Sequence, residues 1–187
     1  KTGRASLLPA TITFSSLVDA YVASSRFGSL GQSSKRTYKS IIDKMASITN
    51  IPDCSLVRTR DAEALYSMLL GSMSISYANS CINVMSTVWE TGIYLELVSQ
   101  NPFDGIKLQQ APERDVAWSQ DQVTQFIHTA DANGIPSIGT LALMAYELCQ
   151  RPIDCRNFCW SRYVDGAFFI TQAKTGAEVQ IPATPAL

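Results

Sequence analysis

Two sets of side chains in this sequence could do chemistry: a group of thiols and a scatter of cations. Cys149, Cys155 and Cys159 sit close together, and thiolates are ligands that zinc favours. Their spacing is not C-x-x-C, however, and the only histidine, His128, lies well upstream on what reads as a helix. Buried or half-buried thiols account for them better, and neither a metal nor another cofactor is expected. The cations are Lys35, Arg36, Lys39 and Lys44 along one stretch, Arg151 directly before Pro152, and Lys174 in a Lys174-Thr175-Gly176 turn. Taken singly, these have ordinary readings: a solvated helix face, a surface or capping arginine, a solvated turn lysine. Bulk charge gives no help, because 15 Lys+Arg against 16 Asp+Glu leave a net charge of −1. Any grip on a polyanion must come from where these residues are placed.

The elements that would place them follow from hydrophobic periodicity. With 187 residues, 46% hydrophobic and 17% charged, the chain has the composition of a folded protein of one or two domains. Phe14, Leu17, Val18, Tyr21 and Val22 share one helical face. Gly28 and Gly31 break that pattern, and Ser33 or Ser34 is expected to cap a second helix over 35–45. That helix turns Tyr38, Ile41, Ile42 and Met45 inward and Lys35, Arg36, Lys39 and Lys44 outward. A third helix, capped by Thr59 or Asp61, buries Ala62, Leu65, Tyr66 and Leu69, and the stretch 76–97 predicts the longest helix, with Gly92 marking a bend. Asn101-Pro102-Phe103 closes this all-α bundle over 12–105. Residues 106–117, polar and carrying Pro112, read as a linker.

The remainder, 118–187, reads as α+β. Ser119 and Gln122 form a capping box for a helix to about Ala132. A nearly all-apolar helix over 138–148 should be central to its domain, and Pro152 suits the first turn of a short helix. Then the period changes to two, giving a hairpin of 167–172 and 178–182 around Lys174-Thr175-Gly176. No apolar run reaches the roughly 18 residues of a membrane span. The opening Lys1-Thr2-Gly3-Arg4 has neither an initiator Met nor an apolar signal core, and reads as an internal cut or a processed end. The odd count of five cysteines without a secretion signal points to reduced thiols in a cytoplasmic protein.

The cations acquire meaning from their order. Tyr146-Glu-Leu-Cys-Gln-Arg151-Pro-Ile-Asp154, then Trp160-Ser-Arg-Tyr163-Val-Asp-Gly166, then Gln172-Ala-Lys174-Thr-Gly176 resembles the first half of a tyrosine recombinase (phage integrase) catalytic domain. The helical block with its Ser-Ser-Lys-Arg-Thr-Tyr helix start and closing Asn101-Pro102-Phe103 looks like the SAM-like core-DNA-binding domain of that family. The resemblance spans about 12–182. It implies a mainly α protein: a helical core-binding domain followed by an incomplete α+β catalytic domain. The implied activity is the cutting and rejoining of double-stranded DNA through a 3′-phosphotyrosine link, without metal or ATP, by homo-oligomers (tetramers for the parent protein) in a prokaryotic cytoplasm. Arg151 matches the family's first phosphate-holding arginine, Lys174 its general-acid lysine, and Asp154 the acidic position that buttresses the site. Lys35, Arg36, Lys39 and Lys44 become the candidate DNA face.

Departures from the family pattern carry expectations of their own. Leu148-Cys149 replaces the commoner Thr-Gly before the first arginine, and Gly permits turns that Cys disfavours. The His-x-x-Arg box and the late nucleophilic tyrosine have no counterpart among Tyr21, Tyr38, Tyr66, Tyr77, Tyr94, Tyr146 and Tyr163. The chain is therefore expected to be part of a recombinase that binds DNA without cleaving it. The alternatives are a regulatory protein that occupies DNA without acting on it, and a helical interaction module with no nucleic-acid role. An incomplete catalytic domain should also leave apolar surface exposed on the 138–148 helix and the hairpin, which favours self-association.

Overall fold

The computed structural model describes residues 11–113 and 116–187, which fall into two compact units divided between Glu113 and Arg114. The reading of residues 1–4 lies outside the described residues, as do Arg114 and Asp115 of the expected linker.

Among the described residues the first unit contains five α-helices: α1 (Phe14–Ala23), α2 (Ser25–Gly28), α3 (Gln32–Ile48), α4 (Thr59–Ser72) and α5 (Ile75–Tyr94). Thr13 caps α1 by accepting the Ser16 N–H, and Ser24 ends α1 and caps α2 by accepting the Phe27 N–H. The short α2 has no counterpart in the apolar spacing; Phe27, buried against Tyr21, holds it in place. α3 starts earlier than expected, at a Gly31 cap that makes no side-chain hydrogen bond, so neither Ser33 nor Ser34 is the cap. In α4 neither Thr59 nor Asp61 is the cap either: Asp61, in the first turn, accepts the N–H of the capping Arg58. The expected inner faces otherwise recur, and the core gathers Leu17, Tyr21, Met45, Leu69, Met85 and Trp89 with no exposed surface. Trp89 is flanked by Phe14 and Phe103.

At Gly92, where a bend is expected, α5 runs on without interruption to Tyr94. A Cβ at this position would lie 2.5 Å from Leu17 Cδ1 and 3.0 Å from Val98 Cγ2. The glycine is there because α1 passes too close for any side chain. The start of the expected linker is also tied down. Ile106 and Leu108 pack on the bundle, the Gln109 N–H donates to Tyr66 Oη, and Asn79 Nδ2 donates to Gln109 O.

The second unit holds α6 (Gln120–Ala132), α7 (Pro136–Leu148), α8 (Pro152–Arg156) and an antiparallel sheet of β1 (Tyr163–Val164), β2 (Ala167–Thr171) and β3 (Glu178–Pro182) in that order. Both halves of the expected Ser119/Gln122 capping box form. The hairpin pairs Thr171 with Glu178 and Ala167 with Pro182, and β1 adds a third strand through a tight Asp165-Gly166 turn. Both turn residues have positive φ, 50° and 72°, as the mirror-image hairpin turn requires. Met144, Leu148, Cys155, Phe168 and Ile170 form the small core.

α7 is less enclosed than its composition predicts. Met144 and Leu148 are buried, but Ile138 is 43% exposed and Tyr146 38%. Trp160, Tyr163 and Val164 add further exposed apolar surface near the sheet. Among the described residues, no helix is long and apolar enough to cross a membrane.

Candidate functional site

The second unit brings its two singled-out cations to neighbouring segments, for reasons that start with the chain's local chemistry. α7 ends at Cys149, whose φ of 51° and ψ of 32° are left-handed. That conformation suits glycine and costs a residue with a Cβ about 1–2 kcal/mol. It reverses the chain so that Gln150 and Arg151 leave the helix at once. Pro152 then opens α8 with a fixed φ and no need of an N–H partner, leaving Arg151 as its extended N-cap. Arg151 is exposed, with its side chain 47% accessible.

Asp154, in the first turn of α8, is the pivot. Its side chain is fully enclosed, and its two oxygens face different segments. Oδ1 accepts the Ala173 N–H at 2.7 Å, and Oδ2 stands 3.7 Å from the Arg151 guanidinium without a hydrogen-bond donor. One buried carboxylate thus reaches both the Arg151 junction and the residue preceding Lys174. The β2–β3 turn is closed by Gln172 N donating to Ala177 O and Gly176 N to Gln172 O, both at 2.8 Å. Lys174 lies at its exposed tip and, among the described residues, makes no hydrogen bond or ion pair.

Three contacts at this junction lie beyond what the sequence pattern predicts. Gln172 Nε2 donates to Gln150 Oε1 at 2.9 Å, Thr175 Oγ1 donates to Gln172 Oε1 at 3.0 Å, and Gln150 Nε2 donates to Leu148 O at 3.2 Å. The only sequence signal for them is position, one residue before Arg151 and two before Lys174. A second tie spans the sheet. Arg162 donates to Phe169 O and pairs with Glu178 at 3.0 Å, holding the Glu178 carboxyl below its ordinary range.

The basic face of α3 is not one cluster. Lys35 Nζ donates to Gly28 O at 2.8 Å, and both Lys35 and Lys39 stand 5.9 Å over the Phe27 ring. Arg36 and Lys39 are exposed. Lys44, nine residues beyond Lys35, points about 180° away at roughly 100° per residue. Lys35 is thus committed in part to holding α2 against α3, Lys39 shares its place over Phe27 while staying exposed, and Arg36 is exposed with neither contact.

The thiols do not converge. Cys149 and Cys159 are exposed, whereas Cys54, Cys81 and Cys155 are buried, and burial raises each of those three thiols, Cys54 to about 12. Raised thiols are poor nucleophiles and poor ligands at neutral pH. Among the described residues, no three His, Cys, Asp or Glu side chains come together as a metal site would need. The apolar cleft of about 270 Å³ beside α4 is lined by Asp53 and Asp61 and contains no cation, so it offers nothing to an anion.

No family model matches the sequence, and no curated protein matches it. Solved structures do. The chain is similar to lambda integrase in a dimer bound to a COC′ core site, at TM-score 0.77 and 20% identity, over 93% of this chain and 49% of that one. It is similar to lambda integrase (residues 75–356) bound to DNA, at TM-score 0.73 and 22% identity, over 91% of this chain and 60% of the other. The Tn1549 transposon integrase (residues 82–397) with circular intermediate DNA matches at TM-score 0.61 and 14% identity, over 94% and 62%. The chain therefore has the integrase fold, as its helical block and hairpin lead one to expect, and spans about half to three fifths of the length of these structures.

Proposed function

We propose that this chain is the DNA-gripping part of a recombinase that cuts and rejoins DNA, carrying the first half of its phosphoryl-transfer site. The observation that carries this reading is the Asp154 carboxylate, which ties the Arg151 junction to the Lys174 turn in a fold shared with DNA-bound integrases. A phosphodiester attacked without a metal needs cations on its nonbridging oxygens. A guanidinium supplies a planar, permanently charged donor fork for that task. Arg151, exposed and facing no full hydrogen-bond partner, takes this role. By analogy with an oxyanion-hole donor it contributes roughly 3–4 kcal/mol. Lys174 gives its proton to the departing 5′-oxygen, and Asp154 positions both cations.

In the first unit Arg36 and Lys39, with Lys35 and Lys44 at the margins, contact phosphates of duplex DNA, which sets position and reads no sequence. Assembly of several copies on DNA accompanies this activity, as in the dimeric and tetrameric lambda integrase complexes. None of the chain's tyrosines matches the late position of the family's nucleophile, and Tyr21 and Tyr66 are moreover buried. The test is a titration of labelled duplex beside a nicked suicide substrate. The chain should bind with a steep salt dependence and form no covalent adduct. Replacing Lys35, Arg36 and Lys39 with Ala should lower the salt slope by roughly one unit for each phosphate no longer neutralised. A covalent adduct would disprove the missing nucleophile, and absence of duplex binding at low salt would disprove the DNA role.

A further inference from the structure

We infer that Gln150 and Gln172 form a latch that fixes the Lys174 turn against the Arg151 junction, making both glutamines positioning residues for the proposed phosphodiester site. The inference rests on that functional reading and goes beyond it, because nothing in the chemistry of phosphoryl transfer calls for a pair of amides.

A four-carbon side chain on an exposed turn samples many positions, and its turn usually moves with it. Here the turn is anchored on both sides of Lys174. Before it, Ala173 donates its N–H to Asp154 at 2.7 Å. After it, Thr175 Oγ1 donates to Gln172 Oε1 at 3.0 Å, and Gln172 passes the restraint on through its Nε2 to Gln150 Oε1 at 2.9 Å. Gln150 in turn is fixed by donating from Nε2 to Leu148 O at the end of α7.

The orientation of each amide is determined by its other partner. Gln150 meets a carbonyl through Nε2, so its oxygen faces Gln172; Gln172 must then present Nε2, which leaves its own oxygen for the Thr175 hydroxyl. Both glutamines are half-buried, so these bonds face little competition from water. The chain of bonds starts one residue before Arg151 and ends one residue after Lys174. An arginine and a lysine whose backbone segments are held in this way lose less freedom on meeting one phosphate than two on independent segments would.

The experiment is a double-mutant cycle in the full chain, reading affinity for a fluorescein-labelled mixed-sequence duplex by anisotropy over a salt series. Lys174→Ala should remove about one unit of salt slope, which corresponds to about tenfold in affinity over a decade of salt. Gln172→Met keeps length and removes the amide. It should lower affinity several-fold in the wild-type background and have no effect when Lys174 is already Ala. Gln150→Met breaks the same bond from the other side and should give the same pattern, which guards against one variant that fails to fold. The latch is overturned if both glutamine variants leave affinity unchanged while Lys174→Ala weakens it. Equal losses with and without Lys174 would also overturn it, because they would reflect a general loss of fold. If Lys174→Ala itself has no effect while the duplex still binds, Lys174 does not meet the phosphodiester and the latch falls with that role; failure of the wild-type chain to bind duplex at all is what sinks the functional reading. These failures have different signatures.

Discussion

Replacing Cys149 with glycine should make the second unit more stable, although it removes a side chain. Cys149 caps α7 with φ 51° and ψ 32°, the left-handed region in which a Cβ crowds the following carbonyl at about 1–2 kcal/mol. Glycine has no such penalty but gives the unfolded chain more freedom, worth about 0.5–1 kcal/mol in the other direction. The thiol adds little to offset this. It is exposed, and its one hydrogen bond among the described residues, to Tyr146 O, is 3.7 Å long. The net gain is about 0.5–1 kcal/mol. With a urea slope of about 1–2 kcal/mol per molar, the midpoint should rise by about 0.3–1 M.

The assay is urea unfolding of the full chain, read by hydrogen exchange on peptides from 136–187 so that only the second unit is scored. Cys149→Ala serves as the control, since it removes the sulfur and keeps the Cβ, and it should stay within a few tenths of a kcal/mol of wild type. If Cys149→Ala gains as much as Cys149→Gly, the sulfur and not the backbone is the source of strain. If Cys149→Gly is destabilised, the left-handed assignment itself is wrong.

Two other perturbations test the packing and the electrostatics. Gly92→Ala places a methyl 2.5 Å from Leu17 Cδ1, and Leu17 is fully buried, so the overpacking cost should exceed the helix-propensity gain and destabilise the first unit by about 1–2 kcal/mol. An equal or raised urea midpoint would show that α1 and α5 can separate without cost. Glu178→Gln should matter only above the carboxylate range. Because Arg162 depresses the folded-state titration of Glu178, the stabilisation is complete above its ordinary value of 4.5 and fades as pH falls through the depressed one. Melting of wild type and variant at a series of pH values should therefore differ near neutrality and converge in acid, and a constant difference would locate the effect outside this ion pair.

The fold is legible wherever one periodicity runs long enough to be counted. α1, α4, α6 and the β2–β3 hairpin follow from apolar spacing and from turn residues, and the Ser119/Gln122 box stands where its pattern places it. What escapes is local chemistry that competes with spacing. Gly31 caps α3 without a side chain because its backbone already provides the extended entry, so the serines downstream are free to become helical. β1 stays hidden although Asp165-Gly166, between Val164 and Ala167, is the dipeptide a two-residue mirror-image turn selects; two-residue strands leave no period to detect.

The site divides along the same line. Arg151, Asp154 and Lys174 can be singled out because charged groups in a fixed order carry information along the chain. The geometry that joins them cannot, since it depends on a left-handed cysteine, on the register that sets Thr171 opposite Glu178, and on two glutamines whose amides meet only after the sheet has formed. Neutral amides have no preferred partner in sequence space, and their pairing becomes specific only when burial removes water as the alternative. The parts of this site that remain silent in the sequence are therefore those that position the cations. For the same reason their loss should register as a misplaced Lys174, with the charge itself still present.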